Sequence, residues 1–216
     1  MLIFQLTMND KAAIDESRGR FVFLDNARYD LPEVNISILG TTLFSFPPVS
    51  DAEKINEFYR SHSIESPWSY YQHLAAFRRS VGFLQQAVKE ISDEDPHRGI
   101  VIFTHHCPTQ DTNALTMQPA ALTPVPDHIN RFSTDMSQFA FWANPQILMY
   151  AFGATGYNCG YTTNYGTDVY SNQRGTGSPE GPHNCHGFNP ASAISLIGPV
   201  SGTVECSVCN EDLGRV

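Results

Sequence analysis

Hydrophobic positions come in short bursts near the start of the chain, lengthen into one helical period, and then shorten again. Residues 21–24 (FVFL) and 34–39 (VNISIL) are apolar or alternating runs that predict strands, the second ending at Gly40. Residues 51–60 predict a short helix. From 69 to 91, Tyr70, Leu74, Phe77, Val81, Leu84, Val88 and Ile91 recur at three- and four-residue spacing, which is the apolar stripe of a helix. The acidic turn at 92–96 ends it. Residues 99–104 (GIVIFT) are continuously apolar and predict a strand buried on both faces. That strand runs directly into His105, His106, Cys107 and Pro108. The Thr-, Pro- and Asn-rich stretch 109–130 lacks periodicity and predicts a long loop, a kind of segment that is usually functional or mobile. Residues 132–142 predict a helix, 146–152 a buried strand ending at Gly153, 168–171 a short strand, 174–190 a Gly/Pro-rich loop, and 193–197 a last strand. Strands alternating with helices belong to the α/β class. No linker divides the chain, so residues 1–216 are expected to form one domain, with 199–216 a flexible tail.

Composition narrows the partners. Apolar residues make up 41% of the chain and charged residues 16%, and the formal net charge is -9. An acidic surface argues against nucleic acid and against an anionic membrane. No apolar run approaches the roughly 20 residues of a membrane span. The first ten residues lack the basic start of a secretory signal. The five cysteines are odd in number and scattered, which fits reduced thiols in a cytoplasmic protein better than a disulfide framework.

Candidate chemistry collects around residue 105. His105 and His106 follow a strand end, where α/β folds form ligand crevices. Either could be a hydrogen-bonded histidine in a pocket wall, or a general acid/base, since imidazole titrates near neutrality. Gly153–Gly156 is too short for a phosphate loop and lacks its lysine. Asp135 is most simply a capping residue at the start of the helix expected at 132–142. Arg174, two residues after Asn172, has the geometry to bind a carboxylate or phosphate bidentately, with a surface ion pair the commoner outcome. Cys107 beside the histidines is a small buried side chain before it is a nucleophile. Cys206 and Cys209, with His183, Cys185 and His186 upstream, could form a mixed zinc site, but free thiols are the expectation.

In order, the chain reads strand, His-His-x-Pro, long loop, helix, strand, Gly-x-Thr-x-Tyr-Asn. That order resembles the second half of the calcineurin-like metallophosphoesterase family. The matching segments are 100–109 (IVIFTHHCPT), 131–137 (RFSTDMS, common in fungal members), 150–160 (YAFGATGYNCG), 169–175 (VYSNQRG) and, upstream, 39–45 (LGTTLFS). The resemblance implies an α/β sandwich of two sheets flanked by helices, truncated at its N-terminal side. It also implies a degenerate metal site. The family's first three ligand signatures are absent, one of His105 and His106 occupies its lone-histidine position, and Ala154 and Gly156 stand where its last two histidines belong. A two-metal centre that activates water and clamps a phosphoryl group needs several such donors.

The expectation is therefore no metal and no cofactor. The scaffold is expected to be repurposed as a metal-independent lyase, cyclase or isomerase acting on a small organic molecule, with secondary metabolism suggested by analogy with the fungal members. The alternatives are a non-catalytic pseudoenzyme binding a ligand or partner, and an atypical phosphoesterase. His105, His106 and Asp135 are the candidate catalytic residues. Ala154, Gly156, Tyr157, Asn158, Asn172 and Arg174 are the candidate ligand-binding residues. An open sheet edge left by the missing N-terminal strands would favour a homodimer.

Overall fold

A computed structural model of the chain describes residues 21–55, 68–115, 131–174, 188–195 and 205–206. The strands are β1 (Ala27–Leu31), β2 (Ile36–Thr41), β3 (Gly99–Thr104), β4 (Ile147–Ala151), β5 (Cys159–Thr162), β6 (Asp168–Ser171), β7 (Ile194–Ser195) and β8 (Glu205–Cys206). The helices are the long α1 (Tyr70–Glu94) and a single turn, α2 (Thr112–Leu115).

The longest helix follows directly from its sequence. The Ser69 hydroxyl accepts the Gln72 N–H and the Gln72 side chain accepts the Ser69 N–H, a reciprocal cap that fixes where α1 starts. Asp95 and Pro96 end it. Its buried stripe includes Phe77, Val81, Leu84, Val88 and Ile91, each worth about 1.5–3 kcal/mol of burial.

β1 to β6 form one six-stranded sheet in the order β1-β2-β3-β4-β6-β5. β2, β3, β4 and β6 run parallel, and β1 and β5 are antiparallel edges. One face packs on α1 through Leu39, Ile100, Ile102, Tyr150 and Val169. The other presents Ile36, Val101 and Met149, with Ile194 of β7 resting against them. β7 and β8 pair as a separate two-stranded ribbon. The architecture is thus mixed α/β. Among the described residues there is one large sheet, and no second large sheet faces it.

Several elements depart from the sequence expectation. The run 21–24 is not a strand; its Leu24 packs on Gly40, where any side chain would meet the Leu24 Cβ at 2.2 Å. The first strand lies just beyond it, in polar sequence. β1 is held by Arg28, which donates to Asp30 at 2.7 Å and to Glu94 of α1 at 2.6 Å, so charge rather than apolar burial pins this edge. The helix expected at 132–142 is replaced by turns and a short 3-10 turn at Ala140–Ala143. The backbone groups there are used elsewhere: the Phe132 carbonyl accepts the Cys107 N–H, Thr134 N–H donates to the Cys107 carbonyl, and Met136 N–H to the Pro108 carbonyl. β3 is buried on both faces over Ile100, Val101 and Ile102, each at most 2% exposed, and emerges only near its end, where Phe103 is 44% exposed on the side away from α1. β5 was not anticipated; it forms a hairpin with β6 across a turn at Thr163–Thr167 containing Gly166 at φ 81°. Residues 52–55 begin the helix expected at 51–60, whose remainder lies outside the described residues, as do 116–130 of the long loop. Of the tail 199–216, only Glu205–Cys206 is described.

Candidate functional site

Because β2, β3, β4 and β6 are parallel, their C-terminal ends open on the same side of the sheet. The segments leaving them are stitched across one another. His106 N–H donates to the Thr42 carbonyl, Gly153 N–H to the His105 carbonyl, and Phe152 N–H to the Tyr170 carbonyl, each at 3.0 Å. The crevice rule for parallel sheets thus brings His105 and His106, the Gly153–Asn158 loop and residues 172–174 to one rim.

The two histidines face different surroundings. His105 is exposed at the rim, with enough of its ring covered for desolvation to lower its pKa. His106 is 5% exposed and sits among the rings of Phe44, His73, His105 and Phe132, at centroid distances of 5.4–6.1 Å. Burial, helped by His105 and His73, pushes its pKa down to about 3. Its Nδ1 is buried without a hydrogen-bond partner. Such an atom normally costs about 1–3 kcal/mol, so a native structure that keeps one calls for an explanation.

His73 was missed in the sequence, although a histidine on the apolar stripe of α1 was a usable signal. It lies 1% exposed beside His106, its pKa lowered by burial to about 4. The Ser45 hydroxyl donates to the Arg131 carbonyl at 2.5 Å, which leaves its oxygen to accept from His73 Nε2 at 3.0 Å. That chain assigns the neutral Nε2–H tautomer to His73.

The loop that the resemblance marks as a vacated ligand loop is strained and tightly held. Ala154 adopts φ 63° and Gly156 φ 70°, and Thr155 N–H turns back to the Gly153 carbonyl at 2.9 Å. Leu43, just after β2, is also left-handed at φ 47°. Left-handed backbone in residues with a Cβ is uncommon and tends to collect at functional positions. Gln173 is the organising residue, also missed. Its side-chain amide donates to Thr155 Oγ1 at 2.9 Å, the Tyr157 carbonyl at 2.8 Å and Ser171 Oγ at 2.7 Å, and its Oε1 accepts the Gly156 N–H at 3.0 Å. Asn158 pairs with the Gln173 backbone in both directions. Tyr157 is half-buried, its hydroxyl pKa raised by burial.

The remaining expected residues divide. Asn172 exchanges hydrogen bonds with the backbone of Asn189 at 2.8 and 3.1 Å, which ties down the 188–195 segment. Arg174 is exposed. Asp135 is exposed and does not cap a helix; its Oδ1 accepts the Ser137 N–H at 2.9 Å in a local turn. Cys107 is fully buried, with its thiol pKa pushed up by burial, so it is packing and not a nucleophile. Among the described residues, no three His, Cys, Asp or Glu side chains converge to hold a metal. His183, Cys185, His186 and Cys209 lie outside the described residues. No described helix is long and apolar enough to cross a membrane. No family model, curated protein or solved structure matches this chain.

Proposed function

We propose that this chain is a small-molecule catalyst on a metallophosphoesterase-like scaffold whose metal ligands have been lost, working through imidazoles at the C-terminal rim of its parallel strands. The observation that carries this reading is the unpartnered, buried Nδ1 of His106 directly behind the exposed ring of His105. A structural histidine would have its buried ring nitrogens satisfied, as Ser45 satisfies Nε2 of His73. The strained Ala154 and Leu43 on the same rim support it.

The two rings suit different tasks. His105 titrates within reach of solvent, so it takes a proton from one atom of the substrate and returns it to another. Isomerisation, cyclisation and elimination need no more than that, and no co-reactant. His106 stays uncharged at neutral pH and, sealed behind His105, forms the fixed wall against which that ring is held. Ala154 and Gly156, in place of two imidazoles, leave the rim less polar.

The test is a panel of uncharged unsaturated carbonyl compounds incubated with the full chain and examined by mass spectrometry for isomerised, cyclised or eliminated products. His105→Ala should lower turnover by about 100-fold or more at unchanged thermal midpoint. Full activity in both His105→Ala and His106→Ala, or manganese-dependent hydrolysis of p-nitrophenyl phosphate, overturns the reading. A non-catalytic binding protein is the second reading. It is favoured by one observation: Asp135, the one carboxylate among the candidate catalytic residues, makes its hydrogen bond in a local turn at the surface. Binding without turnover anywhere in the panel would select it.

A further inference from the structure

We infer that the groove on the sheet face turned away from α1 binds the body of the substrate, an uncharged, hydrocarbon-rich small molecule whose polar end lies at His105. This rests on the proposed role of His105 and adds the ligand class and its location.

The face turned away from α1 carries a groove of about 440 Å³, inside the range of about 300–1,000 Å³ typical of small-molecule sites. Ile38, Val101, Phe103, Met149 and Ala151 line it, and Ile194 borders it. Among the described residues no charged side chain lines it, although the chain carries a net charge of -9. A charged ligand would lose its hydration there without gaining a partner. The polar groups of the lining are already engaged. Tyr170 and Ser192 share a hydrogen bond at 2.6 Å, Asn172 is bonded to Asn189, and Ser171 accepts from Gln173. The walls therefore ask for apolar surface.

Strand alternation aims the candidate catalytic group at the rim end of this groove, just beyond the residues that line it. Side chains alternate along a strand. Val101 and Phe103 of β3 line the groove, and His105 is the next residue in that series, just past the strand end. Across from it, Gly153 has no side chain; a Cβ there would stand 3.7 Å from His105 Nδ1. That missing Cβ leaves the imidazole accessible from the β4 side. Phe152, Ser171 and Asn172 place the groove's far end at the same C-terminal rim.

The probe is N-phenyl-1-naphthylamine, an uncharged apolar fluorophore, titrated into the full chain. Saturable binding of one probe per chain is expected. Methyl NMR should show shifts at Ile36, Ile38, Val101, Ala151 and Ile194, with Leu84 and Val88 under α1 unmoved. Ala151→Phe, which fills the groove, should weaken binding at least tenfold. Phe103→Lys, at an exposed position that tolerates polarity, should do the same and serves if Ala151→Phe does not fold. No saturable binding, methyl shifts under α1 instead, or affinity unchanged in both folded variants overturns the inference. So does a dimer in sedimentation that excludes the probe, which would give this face to a second copy. Probe bound in the groove without His105-dependent turnover refutes the catalytic proposal alone. His105-dependent turnover without groove binding refutes this inference alone.

Discussion

Acidifying from pH 7 to pH 5 should remove much of this protein's folding stability through two buried imidazoles. His73 and His106 have folded pKa values of about 4 and about 3, against an ordinary 6.5. Between those limits the unfolded chain binds protons that the folded chain refuses. Stability is therefore fully present above the unfolded value and is lost as pH falls toward the folded one. From pH 7 to 5 each unfolded imidazole gains about 1.9 kcal/mol from protonation while its folded counterpart gains almost nothing, so the pair costs about 4 kcal/mol. His105, also held below its ordinary value, acts in the same direction. Stopping at pH 5 keeps clear of Asp30, Glu94 and Asp95, whose lowered pKa values matter only below it. Urea unfolding at pH 7, 6 and 5 measures the slope; at about 2 kcal/mol/M the midpoint should fall by about 2 M across the range. His106→Phe should remove about half of the slope and leave stability at pH 7 equal or higher, since it replaces an unpartnered nitrogen with carbon among aromatic rings. A midpoint flat from pH 7 to 5, or a slope that His106→Phe leaves unchanged, refutes the reasoning.

Ala154→Gly should raise stability by about 0.5–1 kcal/mol, because φ 63° strains alanine and not glycine; a lower urea midpoint would contradict this. Gln173→Ala removes the side chain that ties residues 155–157 and Ser171 together, and should cost about 2–3 kcal/mol. Hydrogen exchange should accelerate at Gly156, whose N–H loses its acceptor. Gly40→Ala should destabilise by more than about 3 kcal/mol, because its Cβ would meet the Leu24 Cβ at 2.2 Å and neither can rotate away. Thermal unfolding close to that of the parent would show that Leu24 does not pack there.

The long helix and the parallel strands were legible because their signals are local. The stripe from Tyr70 to Ile91 needs only a 3.6-residue period, and GIVIFT needs only a run of apolar residues. The rim position of His105 and His106 was legible for a related reason, since a strand that ends in polar residues delivers them to the sheet's C-terminal edge. What the tertiary structure decided lies in pairings between distant segments. β1 reads as polar sequence and becomes a strand by pairing with β2, with Arg28 bridging to Glu94, 66 residues away. Residues 132–142 carry a helical pattern, yet their backbone donors are captured by the carbonyls of Cys107 and Pro108. The same capture leaves Asp135 in a local turn at the surface. Neighbouring His105 and His106 look alike in sequence and are separated by burial, because α1 brings His73 and the end of β2 brings Phe44 against only one of them. The open groove was invisible in sequence as well. Alternation along β3 tells which residues share a face, but only the packing of α1 on one side and of Ile194 on the other determines which face carries a groove.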